Sequence, residues 1–204
     1  MTSIVYLLFG YISGSILYAH VFARVFHKEN IIENSKDQNP GVANAFQYGG
    51  FWCGLFTLFG DLAKGFFPVY LYTQFGNAGY LNTLQAVLVI ASPVIGHAFP
   101  VFYHFKGGKG ITVTFGVLLG LFPIWEPAVM LAALFIIFSL VLRITPHFYR
   151  TGVTYICTLI GVFLFVDEMV IRLSFLLITV NVLTRLHISK EERKEPEVKL
   201  LWMR

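Results

Sequence analysis

The residues best suited to chemistry gather in three short segments. The first is GHAFPVFYHFKGGKG, residues 96–110. In it Gly107, Gly108 and Gly110 surround Lys109 and follow Lys106. Glycine lets backbone N–H groups approach an anion closely. A helix beginning near Ile111 would add the N–H groups and dipole of its first turn. The two lysines are point charges suited to phosphate. The P-loop spacing G-x-x-x-x-G-K-[ST] is absent. On spacing alone, a phosphate cradle competes with a tight turn flanked by membrane-edge lysines. His97 in the same segment offers a general base, a hydrogen-bonded core residue or a substrate contact. The second segment is GDLAKG, residues 60–65, where Asp61 and Lys64 are three apart and so share a helix face. Ionisable residues inside a membrane pair with each other or serve a site. The third is NSKDQNPGVANAF, residues 34–46, where Asn39-Pro40-Gly41 signals a turn. Ser35, Asn39 and Asn44 supply neutral hydrogen-bonding groups around it. No His/Cys/Asp/Glu cluster has metal-ligand spacing, and no nucleophile elbow occurs. Cys53 and Cys157 lie in apolar stretches, which argues against a disulfide framework.

The elements that must position these segments are set by apolar tracts. The chain has 204 residues, 56% of them hydrophobic and 13% charged, with a net charge of +4. Mean hydropathy is +0.70. This composition excludes a disordered chain, a collagen and a nucleic-acid-binding tail protein, and argues against a water-soluble globule. No charged side chain occurs from Met1 to Ala23, nor from Gly65 to Phe105. The second tract is about twice the ~20 residues a spanning helix needs, so it must fold back. Gly76-Asn77-Ala78-Gly79 is the turn signal inside it. Backbone groups in lipid must be satisfied internally, so the tracts read as helices. Seven are expected, over residues 2–26, 46–75, 83–105, 110–124, 127–143, 150–166 and 169–187. The first lacks a basic n-region and an A-x-A-like cleavage site, so it reads as a retained span.

All basic residues except Lys64 and Arg172 fall on alternate connections or in the tail. The connections on the other side carry none. The positive-inside rule then places the N-terminus outside and the C-terminus in the cytoplasm. The expected fold class is all-α, a polytopic integral membrane helix bundle forming one domain over 1–187. Residues 188–204 read as a solvated, frayed cytoplasmic tail.

Taken in order, SGSILYA (13–19), NPGVANAF (39–46), GDLAKG (60–65) and GHAFPVFYHFKGGKG (96–110) resemble motifs of the bacterial acyl-phosphate:glycerol-3-phosphate acyltransferases. The last segment follows the family's GH-x-FP-x-F-x-x-FKGGKG without a gap. The resemblance implies a seven-helix bundle of the bacterial inner membrane with its site on the cytoplasmic side. It implies one-step transfer of an acyl group from acyl phosphate to glycerol 3-phosphate, giving lysophosphatidate and phosphate. No metal, cofactor or covalent acyl-enzyme is implied, and no nucleic acid. The expected partners are the two substrates and membrane lipid, for a monomeric chain. The catalytic residues it implies are Ser35, His97 and Lys109. The substrate-binding set is Asn39, Gly41, Asn44, Asp61, Lys64, Lys106, Gly107, Gly108, Gly110, Asn181 and Arg185. The base is either His97 or a substrate phosphate oxygen. The chain departs from the family pattern at four places. Asp37-Gln38 precede Asn39 where the family has Ser-Gly, Ala43 replaces Thr, Gln47 replaces Arg, and Ile178 stands at a His position. Two alternatives stay open: another polar acceptor, or a non-catalytic membrane paralogue or small transporter.

Overall fold

The structure, a computed structural model, describes residues 2–28, 34–35, 37–76, 84–191 and 193–201. Asn77-Ala78-Gly79 of the expected turn, Lys36, Glu192 and Arg204 lie outside these residues. Nine α-helices occur among the described residues: α1 Thr2–Gly14, α2 Tyr18–Val25, α3 Val42–Gly49, α4 Phe51–Phe75, α5 Leu84–Ala98, α6 Ile111–Leu119, α7 Glu126–Ile136, α8 His147–Phe165 and α9 Met169–Ile188. Two short strands, β1 Leu142–Thr145 and β2 Glu197–Leu200, complete the described elements together with a 3-10 turn at Val101–Tyr103 and a π-turn at Ile137–Val141.

The expected helix over 2–26 is broken. Helices α1 and α2 meet at a 45° bend. The expected helix over 46–75 is also two, α3 and α4, parting at Gly50. The helix expected over 110–124 stops at Leu119 and has nine residues. At ~1.5 Å per residue that is less than half a ~30 Å hydrocarbon core. Among the described residues three helices are long and apolar enough to cross a membrane, or four if the α1–α2 pair counts as one span.

Helix α5 is the centre of the bundle. Val89, Ile90, Ala91, Val94 and Ala98 are fully buried. The first four join Val69 of α4, Val117 of α6, Leu131 of α7, Tyr155 of α8 and Phe175 of α9 in one apolar core. Large apolar side chains also cover the outside, among them Phe51, Trp52, Phe67 and Phe165. A soluble monomer rarely exposes so much, whereas lipid accepts it. Two prolines sit inside helices, and each removes one backbone bond. Pro68 leaves the Lys64 carbonyl open, and the Ser13 hydroxyl of α1 donates to it at 3.3 Å. Pro93 leaves the Val89 carbonyl open, and Ser92 fills it at 2.8 Å.

The all-α expectation misses the strand pair. β1 and β2 are antiparallel, with Leu142 opposite Leu200, Arg143 opposite Lys199, Ile144 opposite Val198 and Thr145 opposite Glu197. Two of these four pairs are apolar against apolar. The chain after α7 leaves its helix with unpaired backbone groups, and the tail supplies their partners. Within the tail, residues 197–200 are thus held to β1.

Helices α4 and α6 touch backbone to backbone, because a Cβ on Gly116 would overlap the Leu62 carbonyl oxygen. Gly116→Val is expected to lower stability by about 3 kcal/mol, the upper end for overpacking. A melting temperature in detergent equal to that of the parent chain would contradict this close approach.

Candidate active site

The site is built outward from Lys64. Its ammonium is buried on α4 and has three partners. Asp61 Oδ1 lies at 2.7 Å, the Ile16 carbonyl at 2.6 Å and His97 Nδ1 at 2.8 Å. The Ile16 carbonyl is available because the chain breaks between α1 and α2. An ammonium has three N–H donors and no acceptor. All three are filled, so Lys64 holds the fold, and it is not among the cavity-lining residues. His97 Nδ1 must accept, so the neutral ring carries its hydrogen on Nε2.

After α5 the chain turns through Val101–Tyr103, and His104 and Phe105 adopt left-handed backbone angles, φ 51° and 59°. The glycine loop then folds back under His97. The Gly108 N–H donates to the His97 carbonyl at 3.1 Å. A Cβ on Gly108 would overlap His97 Nε2, so a side chain there would fill the space the ring faces. Gly110 has φ 82° and starts α6. Only glycine takes that angle without strain.

The loop before α3 meets this turn. Asn39 Oδ1 accepts the Lys109 N–H at 3.2 Å. Asn44 Nδ2 donates to Asp37 Oδ1 and to the Asn39 carbonyl, both at 2.8 Å. The Lys109 ammonium is buried between Asp37 Oδ2 at 3.0 Å and Glu191 Oε2 at 2.8 Å. Burial opposes ionisation of Asp37, yet the Asn44 hydrogen bond and the Lys109 charge outweigh it and hold the carboxyl below its ordinary range.

These groups surround a cavity of about 390 Å³. Asp37, Asn39, Asn44, His97, Lys109 and His147 form its polar side, with Gly41, Asp61 and Gly110 between them. Ile111, Phe115 and Phe135 form an apolar wall. His147 begins α8, and its Nδ1 accepts from Arg150 Nη2 at 2.8 Å. Arginine stays protonated, so this ring too carries its hydrogen on Nε2. Among the described residues no group of three or more His, Cys, Asp or Glu could hold a metal ion.

Other expected site residues lie elsewhere. Lys106 is exposed in a separate surface groove with Arg24 and His104, because the left-handed turn sends it away from Lys109. Arg185 donates to the Gly107 carbonyl and lies over the Phe99 ring at 5.5 Å, bracing the glycine loop from behind. Asn181 donates to the Val94 carbonyl at 3.3 Å, tying α9 to α5. Ser35 is buried in its loop but is not among the cavity-lining residues. Gln47 is exposed, and Ile178 is a core residue. Sequence reasoning missed His147 and Glu191. Pro146 before His147 was a helix-start signal, whereas nothing in the mixed-charge tail marked Glu191.

Residues 4–193 match the sequence model of a family described as glycerol-3-phosphate acyltransferase. The chain belongs to the glycerol-3-phosphate acyltransferase family. A curated glycerol-3-phosphate acyltransferase of Staphylococcus aureus (strain Newman) is 32% identical over 209 residues, covering 100% of both chains. One of Pseudomonas aeruginosa (strain LESB58) is 36% identical over 124 residues, 61% of each chain. The fold matches that of PlsY (YgiH), an integral membrane glycerol 3-phosphate acyltransferase. Its glycerol 3-phosphate form gives a TM-score of 0.77 at 23% identity, covering 92% of this chain and 90% of that one. Its lysophosphatidic acid form gives 0.71 at 21% identity, covering 91% and 88%. This chain is thus a membrane protein of the family's fold.

Lys64→Met leaves the Asp61 carboxylate buried and alone, and is expected to cost about 3–5 kcal/mol. Adding Asp61→Leu is expected to restore most of it, read as melting temperature. A second test concerns pH. The folded pKa of Asp37 lies below the ~3.9 of a free side chain, so its stabilising effect is complete above about pH 4 and is lost as pH falls through the folded value. The stability gap between the parent chain and Asp37→Asn should stay constant from pH 7 to about pH 4 and then shrink. A gap that already closes near pH 6 contradicts this.

Proposed function

We propose that the chain transfers an acyl group from an acyl phosphate to a hydroxyl of glycerol 3-phosphate, releasing lysophosphatidate and phosphate. The observation that carries this reading is one cavity that joins the Lys109 ammonium and the start of α6 to the Phe115–Phe135 wall. Both substrates bear phosphate, and one of them also bears an alkyl chain. The first N–H groups of a helix have no partner within it. At α6 they stand beside Gly110, Ile111 and Thr112, which line the cavity. With Lys109 they suit phosphate oxygens. The phenylalanine wall suits the first carbons of the acyl chain.

In the step itself a hydroxyl oxygen forms a bond to the acyl carbonyl carbon. The carbon–oxygen bond to phosphate breaks, and phosphate leaves with that electron pair. His97 and His147 both present Nε2–H, so they act as donors to oxygen, and the hydroxyl proton passes to a phosphate oxygen. Holding the two substrates together can supply about 7–11 kcal/mol of the barrier. Positive charge on the leaving phosphate lowers it further. Ser35 has a supporting place in this reading, within the loop that carries Asp37 and Asn39. The setting we infer is the bacterial inner membrane. We infer seven spans with the N-terminus outside, the site and the tail in the cytoplasm, and the chain acting as a monomer. The distribution of basic residues supports that orientation.

A second reading, transfer to a polar acceptor without phosphate, draws on the Asp37 carboxylate in the cavity wall. One assay separates the two. Purified protein in lipid, given palmitoyl phosphate, is expected to release phosphate when glycerol 3-phosphate is added and not when glycerol is added. Lys109→Ala is expected to slow release at least ~100-fold, the loss typical of one oxyanion donor. Release with glycerol and none with glycerol 3-phosphate would favour the second reading.

A further inference from the structure

Arg150 holds His147 at the wall of the transfer cavity. It also lines an open cavity of about 990 Å³ at the β1–β2 junction, with Arg143, Lys199, Leu140, Leu200 and Leu201. Arg143 and Lys199 are direct partners in the strand register. Like charges placed opposite each other destabilise a strand pair. The apolar pairs on either side hold the register without them. Glu197 meets Lys199 at 2.9 Å, but both side chains are about two-thirds exposed, so another anion can take its place cheaply. Arg150 Nε is buried and has no hydrogen-bond partner among the described residues. No carboxylate is among the described residues that line this cavity. Beside the three cations, Leu140 and Leu201 are 60% and 58% exposed.

We propose that this junction is a second phosphate site, and that its ligand is a single-chain lipid phosphate. The headgroup sits among Arg143, Arg150 and Lys199, where a guanidinium fork matches phosphate oxygens. The chain runs along Leu140 and Leu201. Through its bond to His147, Arg150 links this headgroup to the transfer cavity. A role in holding the acyl donor or the product rests on the transferase reading, whereas the binding itself does not.

The test reads binding directly, so it stands whether or not the chain turns over. Protein in a neutral detergent is titrated with dodecyl phosphate and followed by native mass spectrometry, in a Lys109→Ala background that weakens the transfer cavity. One dodecyl phosphate per chain is expected to remain. Adding Arg143→Gln and Lys199→Gln should weaken it at least tenfold, and adding Arg143→Lys and Lys199→Arg should not. Arg143→Glu, which places opposite charges across the ladder, should raise the ligand-free melting temperature while weakening dodecyl phosphate binding. Equal binding by the Gln variant would overturn the site. Inorganic phosphate competing as strongly as dodecyl phosphate would overturn the lipid ligand and leave a free-anion site.

Discussion

The Lys64 ammonium joins three parts of the bundle at one point. It belongs to α4, takes the carbonyl freed by the α1–α2 break, and donates to His97 at the end of α5. Asp61 balances its charge one turn earlier. A buried ammonium costs several kcal/mol unless it is paired and fully hydrogen-bonded. Any slide of one helix against the others would leave one of these groups bare. The arrangement therefore has one low-energy register. That register passes along the chain from the His97 carbonyl to Gly108, from Lys109 to Asn39, and from Asn44 to Asp37. The cavity is thus placed by a cation whose three donors are all taken within the fold.

The same economy of polar groups holds elsewhere in the bundle. Lipid is as apolar as leucine, so burial of apolar surface does not press transmembrane helices together. Close backbone approach and filled hydrogen bonds do that instead. Gly116 allows the first between α4 and α6. Ser13 serves the second by reaching from α1 to the carbonyl that Pro68 leaves open on α4. Thr114, Thr154 and Thr158 each return their hydroxyl to the carbonyl four residues earlier, so none of these three hydroxyls is left bare. These residues look incidental in a hydropathy profile, yet they decide which helix faces meet.

The apolar tracts made the helices legible, because a long uncharged segment in lipid has few other options. Their ends were less legible. Nothing in SGSILYA distinguishes a continuous helix from one broken before Tyr18, since the break is stabilised by Lys64 far along the chain. The β1–β2 ladder was invisible because LRIT and EVKL are short and pair across two intervening helices. In the site, Asn39, Asn44, His97 and Lys109 could be read from the sequence, since each stands in a short motif of its own. Lys106 could not, since its direction depends on two left-handed residues, His104 and Phe105. Asp37 was visible as a departure from the family pattern, but its partnership with Lys109 needed the fold. His147 and Glu191 enter from α8 and the tail, and they carry no local pattern.

Net charge does not tell which cations serve a ligand, but the count of unfilled donors does. Lys64 has three N–H groups and three partners, so an anion arriving there would have to break one of them. Lys109 has two carboxylate partners among the described residues and lines a cavity. Arg150 gives one nitrogen to His147 and keeps Nε buried and unpartnered. A buried donor left unfilled carries a desolvation cost of about 1–3 kcal/mol, more for a charged group, until an acceptor reaches it. That cost is built into the empty fold and is relieved on binding. It makes Arg150, and not the more deeply buried Lys64, a place where phosphate gains by entering.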